Sequence, residues 1–190
     1  MTKTPTCVLK TPRWKRRLNA FAHSFRKNKD GAVMVEFALI AAPFFILVFG
    51  LIEIAMIFLM TTTLDYGVSQ ASRQIRTGQI QERAGLESDF RALVCGNLFD
   101  LLACDSRLHI DVRRYDDFVA SDANDELPLK KDGSLDNNFQ YNPGGPSEIV
   151  LVQVYYEWNL ITPIMSSGLK NMSGNKRLLH STAVFRNEPF

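Results

Sequence analysis

From Phe37 to Ile52 the chain runs sixteen residues without one charged or strongly hydrogen-bonding side chain, and a glutamate stands at each end, Glu36 and Glu53. Between Ala32 and Leu64 these two are the only ionisable groups. Continued to Leu59 or Met60, the run is long enough for a helix to cross ~30 Å of hydrocarbon, which takes ~20 residues. A buried core helix is the alternative, and the length of the run and its basic flank weigh against it. The reading is a single membrane-spanning helix, and it leaves roughly 110 residues for one folded domain of ordinary size.

Charge supports the same division. Residues 1–31 hold nine of the 22 Lys and Arg and one acid, Asp30, a balance of +8, so the remaining 13 basic and 19 acidic residues give −6. Basic residues before a span and few after it place the N-terminus in the cytoplasm and the C-terminal domain outside. A secretory signal peptide fits poorly, because its apolar region is usually ~7–15 residues long. Trp14, Leu18, Phe21 and Phe25 fall at helical spacing among Arg13, Arg16, Arg17, Arg26 and Lys27. Residues 12–27 therefore suit a basic amphipathic helix, which serves a mitochondrial presequence or a leader on an anionic bacterial membrane surface equally well.

Beyond the span, polar residues such as Ser69, Gln70 and Arg73 mix with Val68, Ala71 and Ile75 without an intervening proline, so the helix is predicted to continue to about Arg76 and stop at Gly78. Phe90, Leu93, Val94, Leu98 and Leu101 predict a second helix over about 87–102. Alternation at Leu108, Ile110 and Val112 predicts a half-buried strand. Val150, Val152, Val154, Tyr156 and Trp158 on one side, with Ile149, Leu151 and Tyr155 on the other, predict a longer central strand, and a third is expected over about 177–185. The polar, acidic, Gly- and Pro-rich passage 116–147 reads as an exposed loop with room for a short hairpin. The expected fold class is α+β: a long N-terminal transmembrane helix continuing into an amphipathic one, then a small extracytoplasmic domain with a short helix and an antiparallel sheet of three to four strands. The expected divisions are a cytoplasmic leader, 1–31, the helix, 32–78, and the outer domain, 79–190.

Cys7 falls on the cytoplasmic side. Cys95 and Cys104 fall outside, where a disulfide across eight intervening residues and two separately buried thiols are both open. No Cys-x-x-Cys, His-Glu-x-x-His, Walker loop or Gly-x-Ser-x-Gly occurs. Cys95, Cys104 and His109 match no common zinc spacing. Asp132, Ser134 and Asp136 only faintly follow a calcium loop, since Asn137 stands where the glycine belongs and Pro143 where the last glutamate belongs. The acids in 116–126 read as a charged surface loop. No enzyme activity, metal, cofactor, nucleic acid or small-molecule substrate is expected.

The two carboxylates remain to be explained, because a charge at the centre of a bilayer costs ~2.5–3.5 kcal/mol on insertion scales. Glu36, Pro43, Gly50 and Ile57 are each seven apart and share a slowly drifting stripe. A carboxylate, a proline and a glycine make a poor lipid face and a reasonable packing seam, with Gly50 permitting close helix approach and Pro43 loosening the helix near Leu39. Glu53 lies ~25 Å along the helix from Glu36 and about 100° around it, so each needs its own partner.

The stretch "DGAVMVEFAL", with its basic leader, a glycine and a glutamate five residues on, resembles the processing site of type IV prepilins. The longer "GAVMVEFALIAAPFFILVFGLIEIAMIFL", Gly31 to Leu59, is similar to TadE-like pseudopilins of the tight-adherence (Flp) pilus system, in which a glycine, a Glu-Phe pair, a proline and a later glutamate recur in this order. The closing "VFRNEPF" is similar to the tails of some members. The resemblance implies a minor pseudopilin or assembly factor of the bacterial inner membrane, supporting pilus biogenesis and adherence. It implies cleavage between Gly31 and Ala32 by a prepilin peptidase. Glu36, with Phe37 beside it, is then used for peptidase recognition or for pairing with the new Ala32 amine of a neighbouring subunit. Pro43 and Glu53 are the family's later positions, the role of Glu53 being open, and Pro43, Gly50 and Glu53 are the helix-packing candidates. The implied partners are the peptidase, other pilins or pseudopilins, and the tight-adherence secretion platform. A signal-anchored periplasmic enzyme or binding protein is the competing reading.

Overall fold

The computed structural model of the protein describes residues 31–83, 85–122, 127–162 and 166–190. The expected amphipathic helix over 12–27, and Cys7 with it, lies outside them. By its internal contacts the chain divides into two units, Met1–Leu47 and Val48–Phe190. Helix α1 runs Ala32–Arg76 with Pro43 inside it. It is followed by α2 (Gln79–Glu82), α3 (Glu87–Gly96), β1 (Leu108–Tyr115), α4 (Phe118–Asp122), β2 (Ile149–Asn159), α5 (Ser166–Leu169) and β3 (Lys176–Arg186). The architecture is α+β, as expected.

Ala, Leu and Met supply 14 of the 45 residues of α1 while Val, Ile and Thr supply 13, so its helix rests on the long apolar run and on packing more than on propensity. Three consecutive threonines, a poor helical choice by propensity, are accommodated because Thr61, Thr62 and Thr63 each donate their hydroxyl to the carbonyl four residues back, at 2.9, 2.8 and 2.9 Å. Arg73 and Arg76 occupy the last turn, where positive charge complements the helix dipole. The turn then closes at Gly78, whose φ of 80° lies in the left-handed region and whose N–H donates to the Ile75 carbonyl at 3.0 Å.

In the Val48–Phe190 unit, Met60, Leu64, Val68, Ala71 and Ile75 repeat at three and four residues and form one wall of the core. Gly67 lies in the same stripe. A Cβ there would stand 3.0 Å from Leu98 Cδ2 and 3.3 Å from the Val94 carbonyl, so glycine allows α1 and the chain around the end of α3 to approach closely.

Among the described residues the strands form one antiparallel sheet in the order β1-β2-β3. Ile110 faces Val154 and Val112 faces Val152, while on the other flank Ala183 faces Val152 and Phe185 faces Val150. This face packs on α1 and α3. The opposite face, with Tyr155 and Leu178, is covered by Leu127, Leu129, Leu135, Phe139 and Met172, so β2 is central and buried on both sides.

Two expectations change. The second helix ends at Gly96 and not near 102, because Phe99 and Asp100 adopt left-handed φ of 51° and 56° and Asn97 Nδ2 turns back to the Leu93 carbonyl at 2.8 Å. Leu98 and Leu102 are therefore buried, whereas the helical period would have buried Leu101, which is exposed. The passage 116–147 is not simply an exposed loop. Leu127, Leu129, Leu135 and Phe139 from it roof the second sheet face, Leu129 bridges Leu135, and Tyr141 bridges Val112 at the edge of β1. Beneath that roof Asp111 is buried, paired with Arg113 at 2.9 Å and accepting the Gln140 N–H at 2.9 Å, so β1 is more than half covered.

The C-terminal tail returns to the end of α1. Glu188 N–H donates to the Arg76 carbonyl at 2.9 Å, and the Phe190 ring lies where a Cβ on Gly78 would come within 2.4 Å. Gly78→Val is therefore expected to lower stability by about 1–3 kcal/mol through left-handed backbone strain, with displacement of Phe190 in addition. An unchanged urea midpoint for this variant would contradict both contacts.

Candidate functional site

Two stretches of α1 carry the residues singled out from the sequence. In the first unit Gly31 precedes the helix and its carbonyl accepts the Val35 N–H at 3.1 Å, so the helix begins at Ala32. Glu36 falls in the second turn and is exposed, as are Ala32, Phe37 and Pro43. Around them Val33, Met34, Leu39, Ile40, Phe44 and Phe45 are also exposed, an apolar surface on every side of the helix. Such a surface is unstable in water and ordinary in lipid. The helix meets the length and hydropathy needed to cross a membrane.

In the second unit Gly50 and Glu53 are buried, Glu53 to 2% exposure. The Glu53 carboxylate is held by the chain just beyond β2. Its Oε1 accepts the Ile161 N–H at 2.7 Å, and its Oε2 accepts the Thr162 N–H at 2.7 Å together with the Thr162 hydroxyl. Two consecutive backbone donors converging on one carboxylate make a charge-assisted cradle, and both oxygens are satisfied. Leu160 is fixed beside it, its N–H donating to the Asn175 carbonyl at 2.9 Å and its carbonyl accepting Asn175 Nδ2 at 2.8 Å. Sequence reasoning gave Glu53 no partner. The missing partners are mostly main-chain N–H groups, which leave no signature in residue types.

Cys95 and Cys104 are joined by a disulfide with Cα atoms 5.9 Å apart. The bond closes the turn that carries Phe99, whose ring stacks on Tyr66 of α1 at 5.7 Å. With both sulfurs committed, neither is free to ligate zinc beside His109. Among the described residues no three His, Cys, Asp or Glu side chains gather as a metal site. Asp132 accepts the N–H and hydroxyl of Ser134, and those hydrogen bonds hold its carboxyl below the usual range, the pattern of a local turn.

One ion cluster ties the three strands together. Glu157 of β2 meets Lys176 of β3 at 2.7 Å and His109 of β1 at 3.3 Å. Burial pushes the Glu157 carboxyl up, but the hydrogen bonds and charges of Lys176 and His109 outweigh it and hold the group below its ordinary value of 4.5. A carboxyl depressed in the folded state contributes stability above its unfolded pKa, and that contribution is lost as pH falls through the lower folded value. Wild-type protein is therefore expected to lose stability below about pH 4.5, and Glu157→Gln should lose less over the same interval. Parallel thermal unfolding curves at all pH values for the two proteins would contradict this.

Comparison with known proteins bears on α1 alone. Residues 31–73 match the family model described as TadE-like protein. No curated protein matches the chain, and no solved structure does. The match opens at Gly31, one residue before the helix, and takes in Glu36, Pro43, Gly50 and Glu53. Residues 31–73 are thus the part of the chain that is similar to TadE-like proteins.

Proposed function

We propose that the protein is a minor pseudopilin or assembly factor of tight-adherence (Flp) pili. It is inserted once in the bacterial inner membrane, with its N-terminus in the cytoplasm and residues 79–190 in the periplasm. A prepilin peptidase cuts it between Gly31 and Ala32. The TadE-like match ties the chain to Tad/Flp pilus assembly in general. The finer reading rests on one observation: the family segment opens at Gly31, helix α1 opens at Ala32, and an exposed carboxylate, Glu36, follows at the fifth position of the shortened chain.

Cleavage after Gly31 creates an ammonium on Ala32. An ammonium and a carboxylate are each costly in lipid and offset one another when paired. On a single helix Glu36 lies four residues from Ala32. In an assembly the amine of one subunit reaches the Glu36 of the next, with Phe37 and Pro43 on the surrounding apolar surface. The partners are the peptidase, sibling pilins or pseudopilins and the secretion platform, and the chain acts as the peptidase's substrate.

Glu36→Gln keeps the size of the side chain and removes its charge. Membrane insertion should be unchanged, because the apolar run that drives it is intact, while piliation in a strain carrying only the variant should fall by an order of magnitude or more. Piliation equal to wild type would reduce Glu36 to a residue at the helix boundary.

A further inference from the structure

The depth of the Glu53 cradle along α1 has a consequence for the domain. Glu53 is buried on one side of the helix, yet its neighbours on the other sides are exposed and apolar: Leu51, Ile52, Ile54 and Phe58, followed by Leu59 at 45% exposure. With ~1.5 Å of rise per residue, this belt continues ~9 Å past Glu53 toward the C-terminal end of the helix. Helical side chains also lean toward the N-terminus, which carries the carboxylate no shallower than its own Cα. If Leu51, Ile52, Ile54, Phe58 and Leu59 face lipid, the Glu53 carboxylate lies below the rim of the hydrocarbon. Ile161 and Thr162 lie there with it, each joined to it by a hydrogen bond of 2.7 Å.

We infer that Leu160 to Thr162, where the chain leaves β2, dip into the membrane leaflet on the domain's side, the exposed Ile161 side chain contacting acyl chains and Glu53 serving as their internal anchor. The inference rests on the membrane-spanning reading of α1 proposed above. Three observations support it. Ile161 is 65% exposed although its backbone is fixed. The sequence from Leu160 to Leu169 contains no charged residue. The cradle also resolves two costs together, since unpaired backbone N–H groups and an unpaired carboxylate are each unfavourable in hydrocarbon and here satisfy one another. A carboxylate buried at this level of a lipid-facing helix is then explained by the loop it receives.

The test uses the full chain with Cys7→Ser and the native disulfide intact. A single new cysteine at Ile161 is labelled with the fluorophore NBD, and the protein is reconstituted in phosphatidylethanolamine/phosphatidylglycerol vesicles. Ile54→Cys on the helix and Val184→Cys on β3 are labelled in parallel. The expected result is a blue-shifted emission at position 161, quenched by doxyl-labelled lipid to within twofold of position 54 and spared by aqueous iodide, which quenches position 184. Iodide quenching at 161 with lipid quenching at 54 overturns the inference and leaves the membrane span standing. A blue-shifted label at 161 immune to both quenchers means that another protein surface, such as a second copy, covers the loop, and this also overturns it. Loss of lipid quenching at 54 overturns the membrane-spanning reading and the inference together.

Discussion

Glu53→Leu is expected to release the β2–β3 connection from α1 and to lower stability by about 3–5 kcal/mol, since three donors lose a charged acceptor and each such bond is worth ~1.5–3 kcal/mol, less what the freed loop regains from solvent. The Ile161 N–H, the Thr162 N–H and the Thr162 hydroxyl all converge on this one group. Leucine fills similar space, so little of the loss is packing. Glu53→Gln should fall between, because its amide keeps one acceptor oxygen and turns a donor toward a donor. Both are measured by the denaturant midpoint of detergent-solubilised protein and by protease cleavage within the connection. A Glu53→Leu protein with the wild-type midpoint and wild-type protease resistance would show that the cradle holds nothing together.

The second large effect is expected at the disulfide. Cys95 and Cys104 are nine residues apart in sequence, and closing a loop of that length removes enough unfolded-chain entropy to stabilise by about 2.5 kcal/mol. Replacing both with serine should therefore lower stability by that amount. It should also loosen the turn in which Phe99 and Asp100 sit at positive φ, separating the Phe99 ring from Tyr66. Stability that is the same for the double-serine variant and for oxidised wild type would contradict this. If the domain is periplasmic, as proposed, the bond forms in an oxidising compartment.

Much of the fold could be read from the sequence because its elements have clear periods. The apolar run of α1, the alternation at Leu108, Ile110 and Val112, and the two-sided apolar pattern of β2 each predict their element directly. The end of α3 could not be read, because Leu98 and Leu101 continue a helical period that the left-handed residues Phe99 and Asp100 interrupt, and neither is glycine. Nor could the roof over the second sheet face. Leu127, Leu129, Leu135 and Phe139 are too sparse to show a period among acidic and Gly/Pro-rich neighbours. The same contrast divides the candidate site. Gly31 and Glu36 are visible through their spacing and the basic leader before them. Glu53 is visible as an anomaly, but its partners are two main-chain N–H groups and one hydroxyl 108 and 109 positions away, and only the folded chain brings them to it.

Gly31 and Glu36 are proposed to form one processing and assembly signal at the head of α1. This proposal is tested most directly by N-terminal sequencing of the membrane-extracted protein from cells with and without the cognate prepilin peptidase. A mature chain beginning at Ala32 is expected when the peptidase is present, and an intact Met1 leader when it is absent. An intact leader in cells where the peptidase is active would contradict it.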